Sequence, residues 1–334
     1  MPQDLNIAVK VSTAARLHMG FFDLHGGLGR KFGSIGLSLS APKLELCMKH
    51  SEALLVTGVP SVQKRAHAIA AQLLKKLSLP GNVHLSIGQH IPEHAGLGSG
   101  TQLALSIGAA INQLYGLNLN VAEIALLTNR GNRSGIGIAA FEHGGVLIDG
   151  GRTAPAKANN TIPPLLARYD FPEHWRILLI LDTTQPGIHG HEELKAFDQL
   201  PEFSESVAAQ LCRHVLMQAM PALIEQDLPA FGRSIQALQA HVGDYFAPAQ
   251  GGRYASKRVG QVLKHLEHLG IDCFGQSSWG PTGFAVFESA DEANQNLVEL
   301  KATFTDNALN WMICSASNQG ANIERTVNDQ LVAI

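Results

Sequence analysis

Pro92-Glu93-His94-Ala95-Gly96-Leu97-Gly98-Ser99-Gly100-Thr101 runs directly into an apolar stretch from Leu103 to Leu114 that suits a buried helix. A glycine segment opening into a helix presents backbone N–H groups that no earlier carbonyl can reach. The positive end of the helix dipole stands behind them, and glycine puts no Cβ in a ligand's way. Such a nest suits phosphate or diphosphate. No Gly-Lys-Ser/Thr follows, so the segment is not a Walker A loop, and its spacing is not the dinucleotide fingerprint either. The plainer alternative is a tight turn with Ser99 or Thr101 as the helix N-cap.

Outward from this loop, Val83 to Ile87 reads as a strand, and Gln63 to Leu77 carries apolar residues at helical spacing, stopped by Pro80 and Gly81. Ile7 to Thr13 and Ser38 to Met48 are β-branched, alternating runs that bracket a glycine-rich passage. After Thr153 the chain becomes rich in Pro, Ala and Asn as far as Pro172, the composition of a connection between lobes. Beyond it come an aliphatic strand at Arg176 to Asp182, helical patterns at Ser204 to Glu225 and Ala255 to Leu269, and strands at Gly283 to Glu288 and near Trp311 to Ser315. At 334 residues the chain exceeds what one core usually serves, and no repeat is visible. The expectation is an α+β protein of two lobes, residues 1–160 and 161–334.

Composition narrows the function. Charged residues make up 16%, against roughly 25% in ordinary proteins, and the net charge is -3 with no basic stripe. A nucleic-acid or anionic-membrane partner is therefore disfavoured, and a small-molecule substrate is expected. No apolar run is long enough for a membrane span, and the first residues lack the order of a signal peptide, so a cytoplasmic location is expected. The four cysteines, Cys47, Cys212, Cys273 and Cys314, form no C-x-x-C pair and read as buried free thiols. His189-Gly190-His191 with Glu192-Glu193 is the sharpest metal-like cluster, but it offers no third ligand and reads as a surface turn leading into a helix. Glycine, 33 residues in all, concentrates between Gly20 and Gly36, at Gly96 to Gly100, between Gly131 and Gly151, and between Gly275 and Gly283. Backbone, more than charged side chains, is expected to hold the ligand.

Pro92 to Thr101 resembles the phosphate-binding loop of the GHMP superfamily of small-molecule kinases, with Gly100 where those kinases place a second Ser. Within that superfamily, Ala15-Arg16-Leu17-His18-Met19-Gly20-Phe21-Phe22-Asp23-Leu24, then Gly29-Arg30 and Gly33-Ser34-Ile35-Gly36-Leu37, look like the N-terminal motif of the beta-ribofuranosylaminobenzene 5'-phosphate synthase family. Gly275-Gln276-Ser277-Ser278-Trp279-Gly280-Pro281-Thr282 is similar to that family too. The resemblance implies a GHMP-kinase-like fold, with a ribosomal protein S5 domain 2-like N-terminal lobe and a ferredoxin-like C-terminal lobe. It implies a decarboxylating transfer of phosphoribose from phosphoribosyl pyrophosphate to 4-hydroxybenzoate or 4-aminobenzoate, which opens the methanopterin branch of one-carbon cofactor synthesis. It also implies Mg²⁺ and a homodimer.

The residues can be matched to that chemistry. Gly96, Leu97, Gly98, Ser99, Gly100 and Thr101 are expected at the pyrophosphate, with the Ser99 and Thr101 hydroxyls available to Mg²⁺. Arg16, His18 and Asp23 are polar residues set among apolar ones, so at least one points into a pocket or is paired. Arg16 suits a phosphate or the benzoate carboxylate; alternatively Arg16 and Asp23 form a structural ion pair around a core His18. Arg30 and Lys31 are candidates for the ribose phosphate or a solvated basic pair. Glu93 is either a substrate contact or a rim residue, and Arg133 and Ser134 are candidates for phosphate. Gln276, Ser277, Ser278 and Thr282 are expected near substrate, and Trp279 either faces the benzoate ring or packs the lobes together. Where many superfamily kinases carry an Asp that helps deprotonate a hydroxyl, this chain has Gly137, which suits an acceptor that attacks through a ring carbon. The competing readings are an ATP-dependent kinase resembling homoserine or mevalonate kinase and a ligand-binding sensor without turnover.

Overall fold

A computed structural model describes residues 7–153, 161–188, 190–327 and 330–332. The first lobe contains β1 (Ile7–Asp23), β2 (Arg30–Lys31), β3 (Gly33–Ser51), β4 (Leu55–Gly58), α1 (Pro60–Lys76), β5 (Asn82–Gln89), α2 (Ser99–Tyr115), α3 (Val121–Leu127), α4 (Ile136–Glu142), β6 (Val146–Asp149), β7 (Arg152–Thr153) and β8 (Leu165–Tyr169). The second continues with β9 (Arg176–Asp182), α5 (Gly190–Gln199), α6 (Glu205–His214), a π segment at Val215–Ala219, α7 (Met220–Glu225), α8 (Leu228–Gln250), α9 (Lys257–His268), β10 (Phe274–Gln276), β11 (Gly283–Phe287), α10 (Ala290–Thr303) and β12 (Leu309–Cys314). β13 (Asn322–Val327) and β14 (Gln330–Val332) close the chain.

The first expected strand is longer than its sequence pattern suggests. β1 runs ten residues past Thr13 because Ala15, Leu17, Met19 and Phe21 continue the inward alternation that Val9 and Val11 begin. It pairs with β3 through three register irregularities, between Ala14 and Arg16, His18 and Gly20, and Phe21 and Asp23. Bulges of this kind re-aim side chains, and here they fall on the Arg16–Asp23 motif. The motif is therefore a strand, not the loop its glycines suggested.

The expected boundary at residue 160 is corrected by the sheets. The larger sheet runs β14-β13-β1-β3-β5-β4, with β6 on β3 and β8 on β6. Leu165–Tyr169 and Asn322–Val327 thus belong to the first lobe although they lie in the second half of the sequence. The physical reason is edge pairing: β1 and β6 would otherwise leave a row of backbone groups open, and these two segments satisfy it. The second lobe's sheet has the order β10-β11-β9-β12, all antiparallel, which is the ferredoxin-like β-α-β-β-α-β arrangement. The linker residues 154–160 lie outside the described residues.

α2 is the helix on which the site rests. It is buried along nearly its whole length, from Gln102 through Ile111 and on to Leu114, so it reads as apolar all round and sits in the core rather than on a surface. Gln102 is fully buried but satisfied: its amide donates to the Gly137 carbonyl at 2.8 Å and its oxygen accepts from the Thr13 hydroxyl at 2.8 Å.

Candidate active site

The glycine loop leaves β5 and enters α2 through Gly98, whose φ of +82° is the left-handed conformation glycine adopts without strain. No side chain caps the helix. The amides of Thr101 and Gln102 turn back to the Gly98 carbonyl at 3.0 and 3.1 Å, whereas those of Ser99 and Gly100 have no hydrogen-bond partner among the described residues. These free donors and the helix dipole face a cavity of about 290 Å³ lined by Gly96, Gly98, Ser99, Gly100 and Thr101 from the loop.

Three guanidinium groups line the same cavity. Arg16 from β1, Arg65 from α1 and Arg130 after α3 all reach it. Arg16 donates from Nη1 to the Gly96 carbonyl at 2.5 Å and lies so close to the loop that a Cβ on Gly98 would stand 3.1 Å from its Cγ. A Cβ on Gly100 would stand 2.2 Å from Arg65 Nη2. The glycines of the loop therefore accommodate cations as much as ligand. Burial pulls the Arg16 pKa down to about 10, partly opposed by Glu193. Burial and the neighbouring charge of Arg65 bring Arg130 to about 10 as well. Both remain charged at neutral pH, and the Nε atoms of both are buried without a partner. Like charges crowded around free N–H donors have the chemistry to hold an anion.

The second lobe closes one side through the turn between β10 and β11. Ser277 joins three segments: its hydroxyl donates to the Gly96 carbonyl at 2.8 Å and accepts from the His18 amide at 3.0 Å, while the Ser278 amide donates to the His18 carbonyl at 3.0 Å. Gly96 has φ +75°, and a Cβ there would lie 2.3 Å from the Ser277 carbonyl oxygen. This position must be glycine for the lobes to meet. His18 is buried, packed against the Phe21 ring at 4.5 Å. Its pKa is pushed down to about 3, chiefly by burial and then by the charges of Arg16 and Arg133, against a hydrogen bond to its own backbone. It is a neutral imidazole at pH 7, with Nε2 unpartnered.

The GHMP kinases N terminal domain matches residues 63–145, and the GHMP kinases C terminal domain matches residues 219–306. A beta-ribofuranosylphenol 5'-phosphate synthase of Archaeoglobus fulgidus is 33% identical over 95% of this chain and 99% of its own length. The chain belongs to the beta-ribofuranosylphenol 5'-phosphate synthase family. A second synthase of that name, from Methanocaldococcus jannaschii, is 35% identical over 82% of this chain and 88% of its own. Among solved structures, mevalonate diphosphate decarboxylase from Staphylococcus aureus superposes with a TM-score of 0.67 at 12% identity, covering 97% of this chain and 99% of that one; this likeness concerns the fold alone.

In this synthase-family chain several expected site residues serve the scaffold instead. Asp23 accepts from the amides of His25 and Gly26, both at 2.9 Å, and so closes a turn; it does not pair with Arg16. Arg30 is exposed, donates to the carbonyls of Gly150 and Gly151, both at 2.7 Å, and is not among the residues lining the cavity. Lys31 lies over the Phe32 ring. Ser134 donates to the buried Asp149 at 2.8 Å, alongside Ser34 and the Gly135 amide. Burial raises the Asp149 carboxyl above its ordinary pKa despite these donors. Gln276 is buried in a network with Gln239 and the Ala255 amide. Thr282 is fully buried, its carbonyl accepting from Ser277 at 2.9 Å.

Other candidates of the synthase motif stay at the cavity. Trp279 and Ser278 line it, and Trp279 also stacks on Phe246 at 4.1 Å and meets the edge of Phe197 at 5.4 Å. At 2% exposure it packs mainly against α5 and α8 of its own lobe. Glu93 pairs with Arg65 at 3.1 Å on the rim. Arg133 is ion-paired to Glu193 of α5 and stands 5.3 Å over the Phe197 ring. His189 and the side chains of His191 and Glu192 lie outside the described residues, and no group of three or more His, Cys, Asp or Glu that could hold a metal occurs among the described ones.

The sequence reading missed Arg65 and Arg130. Arg65 lies in the helix Gln63 to Leu77, whose apolar face was visible while the destination of its polar face was not. Arg130 precedes Gly131 in a segment valued for its glycines. The expectation that backbone outweighs charge at the ligand is accordingly corrected: three arginines share the cavity with the loop.

Proposed function

We propose that the chain transfers phosphoribose from phosphoribosyl pyrophosphate to a 4-substituted benzoate, with loss of carbon dioxide and pyrophosphate and formation of a carbon-linked riboside in methanopterin biosynthesis. The observation that carries this reading is the convergence of Arg16, Arg65 and Arg130 on the open amides of Ser99 and Gly100. Charge develops on the departing pyrophosphate as the anomeric C–O bond breaks, and donors already oriented toward it stabilise that charge without reorganising. The synthases named above support the reaction class.

Gly137 supports a carbon acceptor. A Cβ there would stand 3.1 Å from Thr101 Cγ2, so α4 packs closely against the first turn of α2, and Gly137 itself brings no carboxylate of the kind a kinase uses to activate a hydroxyl. The GHMP kinase relationship is one of fold. Neutral His18 and the surrounding aromatic residues suit an uncharged ring better than a nucleotide phosphate.

Mg²⁺ enters as part of the proposal. The Ser99 and Thr101 residues line the cavity, a sparse oxygen set that fits a hydrated ion held largely by diphosphate oxygens. Bound there, it would supply further positive charge to the leaving group. A homodimer is proposed as well, supported by the exposed apolar Leu216 and Met217 on the π segment and Ile224 on α7. No helix of the described residues is long and apolar enough to cross a membrane. A cytoplasmic location also belongs to the proposal, supported by the free thiols of Cys47, Cys212, Cys273 and Cys314, which a reducing compartment preserves. The test mixes purified protein, Mg²⁺, phosphoribosyl pyrophosphate and carboxyl-labelled 4-hydroxybenzoate or 4-aminobenzoate. Labelled carbon dioxide and pyrophosphate in equal amounts are expected, and release of neither with either benzoate refutes the proposal.

A further inference from the structure

One residue of the anion cavity has the wrong sign for a phosphate site. Glu193 lines it together with Arg16, Arg65 and Arg130, and its side chain is only 19% exposed. A carboxylate among cations suited to an anion opposes the ligand, because like charges close together disfavour each other. Glu193 is ion-paired to Arg133, and of the two only Glu193 is among the residues lining the cavity. Glu193 also acts through space on Arg16, whose charged form it favours. The carboxylate thus serves two cations, one that lines the ligand space and one that does not.

The backbone that carries Glu193 is fixed on both sides of it. The chain approaches α5 through Gly187, whose amide donates to the His94 carbonyl at 2.7 Å. A Cβ there would stand 2.1 Å from the Gly280 carbonyl oxygen, so the segment is pinned between the glycine loop and the turn from β10 to β11. Four residues after Glu193, and on the same helix face, Phe197 meets Phe246 at 5.5 Å and Trp279 at 5.4 Å, both edge to face. The Arg133 guanidinium lies 5.3 Å from the centre of that same Phe197 ring. Arg133 therefore has two partners on α5, and it keeps the aromatic one when the carboxylate turns away. The Glu193 side chain can change rotamer while the helix stays where it is.

We propose that Glu193 is an internal counter-anion that competes with the diphosphate: it neutralises the cavity arginines in the unliganded protein, yields them when phosphoribosyl pyrophosphate enters, and returns to them as pyrophosphate leaves. The proposal rests on the phosphoribosyl transfer stated above. A site made only of guanidinium groups and open amides would hold product pyrophosphate as firmly as the charge it stabilises during bond breaking, and product release limits many enzymes. A carboxylate tethered to the site is present at a high effective concentration. It contends with the product at every turnover, is never consumed, and forms no bond to the reacting carbon. The same competition weakens the binding of other anions.

The experiment titrates inorganic pyrophosphate calorimetrically, with a chelator and then with Mg²⁺, into the wild type, Glu193→Gln, Arg133→Gln and the double variant, beside thermal melts that show each is folded. Glu193→Gln is expected to bind metal-free pyrophosphate about tenfold or more tightly than the wild type. Arg133→Gln should bind it about threefold or more weakly, because the carboxylate then turns wholly to Arg16, and the double variant should match Glu193→Gln within about twofold. An affinity of Glu193→Gln that is unchanged within about twofold overturns the proposal and leaves Glu193 as a structural partner of Arg133. Weaker binding by Glu193→Gln, with or without Mg²⁺, overturns it too, since Glu193 would then hold the ligand or its cation. So does a loss in Arg133→Gln that persists in the double variant, which would make Arg133 the anion's own partner. Glu193→Ala takes the place of Glu193→Gln where the latter does not fold. These outcomes leave the transferase reading in place; pyrophosphate that binds none of the folded proteins, with or without Mg²⁺, overturns the anion site and that reading with it.

Discussion

Replacing Arg65 by Met tests whether side-chain charge, and not the glycine backbone alone, holds the pyrophosphate. The substitution keeps much of the aliphatic stem and removes the guanidinium that lies against Gly100. A charge-assisted hydrogen bond to an anion contributes roughly 1.5–3 kcal/mol. Because the Arg65 side chain is 34% exposed, solvent screening puts the expected loss in the lower part of that range, about 1.5–2 kcal/mol. At about 1.4 kcal/mol per decade, binding of phosphoribosyl pyrophosphate should weaken roughly ten- to thirtyfold. Folding stability should change little, within about 0.5 kcal/mol, since the exposed pair with Glu93 is lost but repulsion on Arg130 is relieved. Calorimetric titration with phosphoribosyl pyrophosphate and Mg²⁺, beside a thermal melt of the unliganded protein, separates the two quantities. An affinity unchanged within twofold in a folded variant would refute the reasoning and return the site to the backbone alone.

Three further outcomes are expected. Gly96→Ala forces a left-handed φ and a Cβ 2.3 Å from the Ser277 carbonyl oxygen, so urea denaturation should show a loss of about 3 kcal/mol. Ser99→Ala combined with Thr101→Ala should lower turnover tens-fold or more in single-turnover kinetics while the melting temperature holds, because the hydroxyls serve the departing group and not the fold. His18 binds its proton in the unfolded chain at the ordinary value near 6.5 but in the folded chain only near 3, so its stabilisation is complete above pH 6.5 and is lost as pH falls toward 3. Between pH 7 and 4.5 this amounts to about 2.5 kcal/mol, and urea midpoints at the two pH values should show that His18→Gln has a correspondingly flatter acid limb.

The helix after the glycine loop and the strand before it were legible because each depends on short-range pattern: apolar spacing, β-branched alternation and stop signals. The loop itself was legible because Gly98 and the uncapped turn after it are a local conformational fact. What escaped was longer in range. Nothing in the segment Leu165–Tyr169 says that it pairs with β6, since an edge is completed by whichever strand the fold brings to it. Arg30 and Ser134 carry the residue types a phosphate site needs, yet their donors go to Gly150, Gly151 and Asp149, partners more than a hundred residues away for Arg30 and fifteen for Ser134.

By itself, the sequence determined that a glycine loop opens into a helix whose first amides lack side-chain caps and that no carboxylate stands at position 137, because both are properties of a few consecutive residues. Tertiary structure alone decided which cations stand over those amides and that His18 is neutral. A guanidinium's destination depends on where α1 and α3 pack, and an imidazole's proton depends on how completely water is excluded around it and which charges lie nearby, none of which is encoded within reach of the residue along the chain.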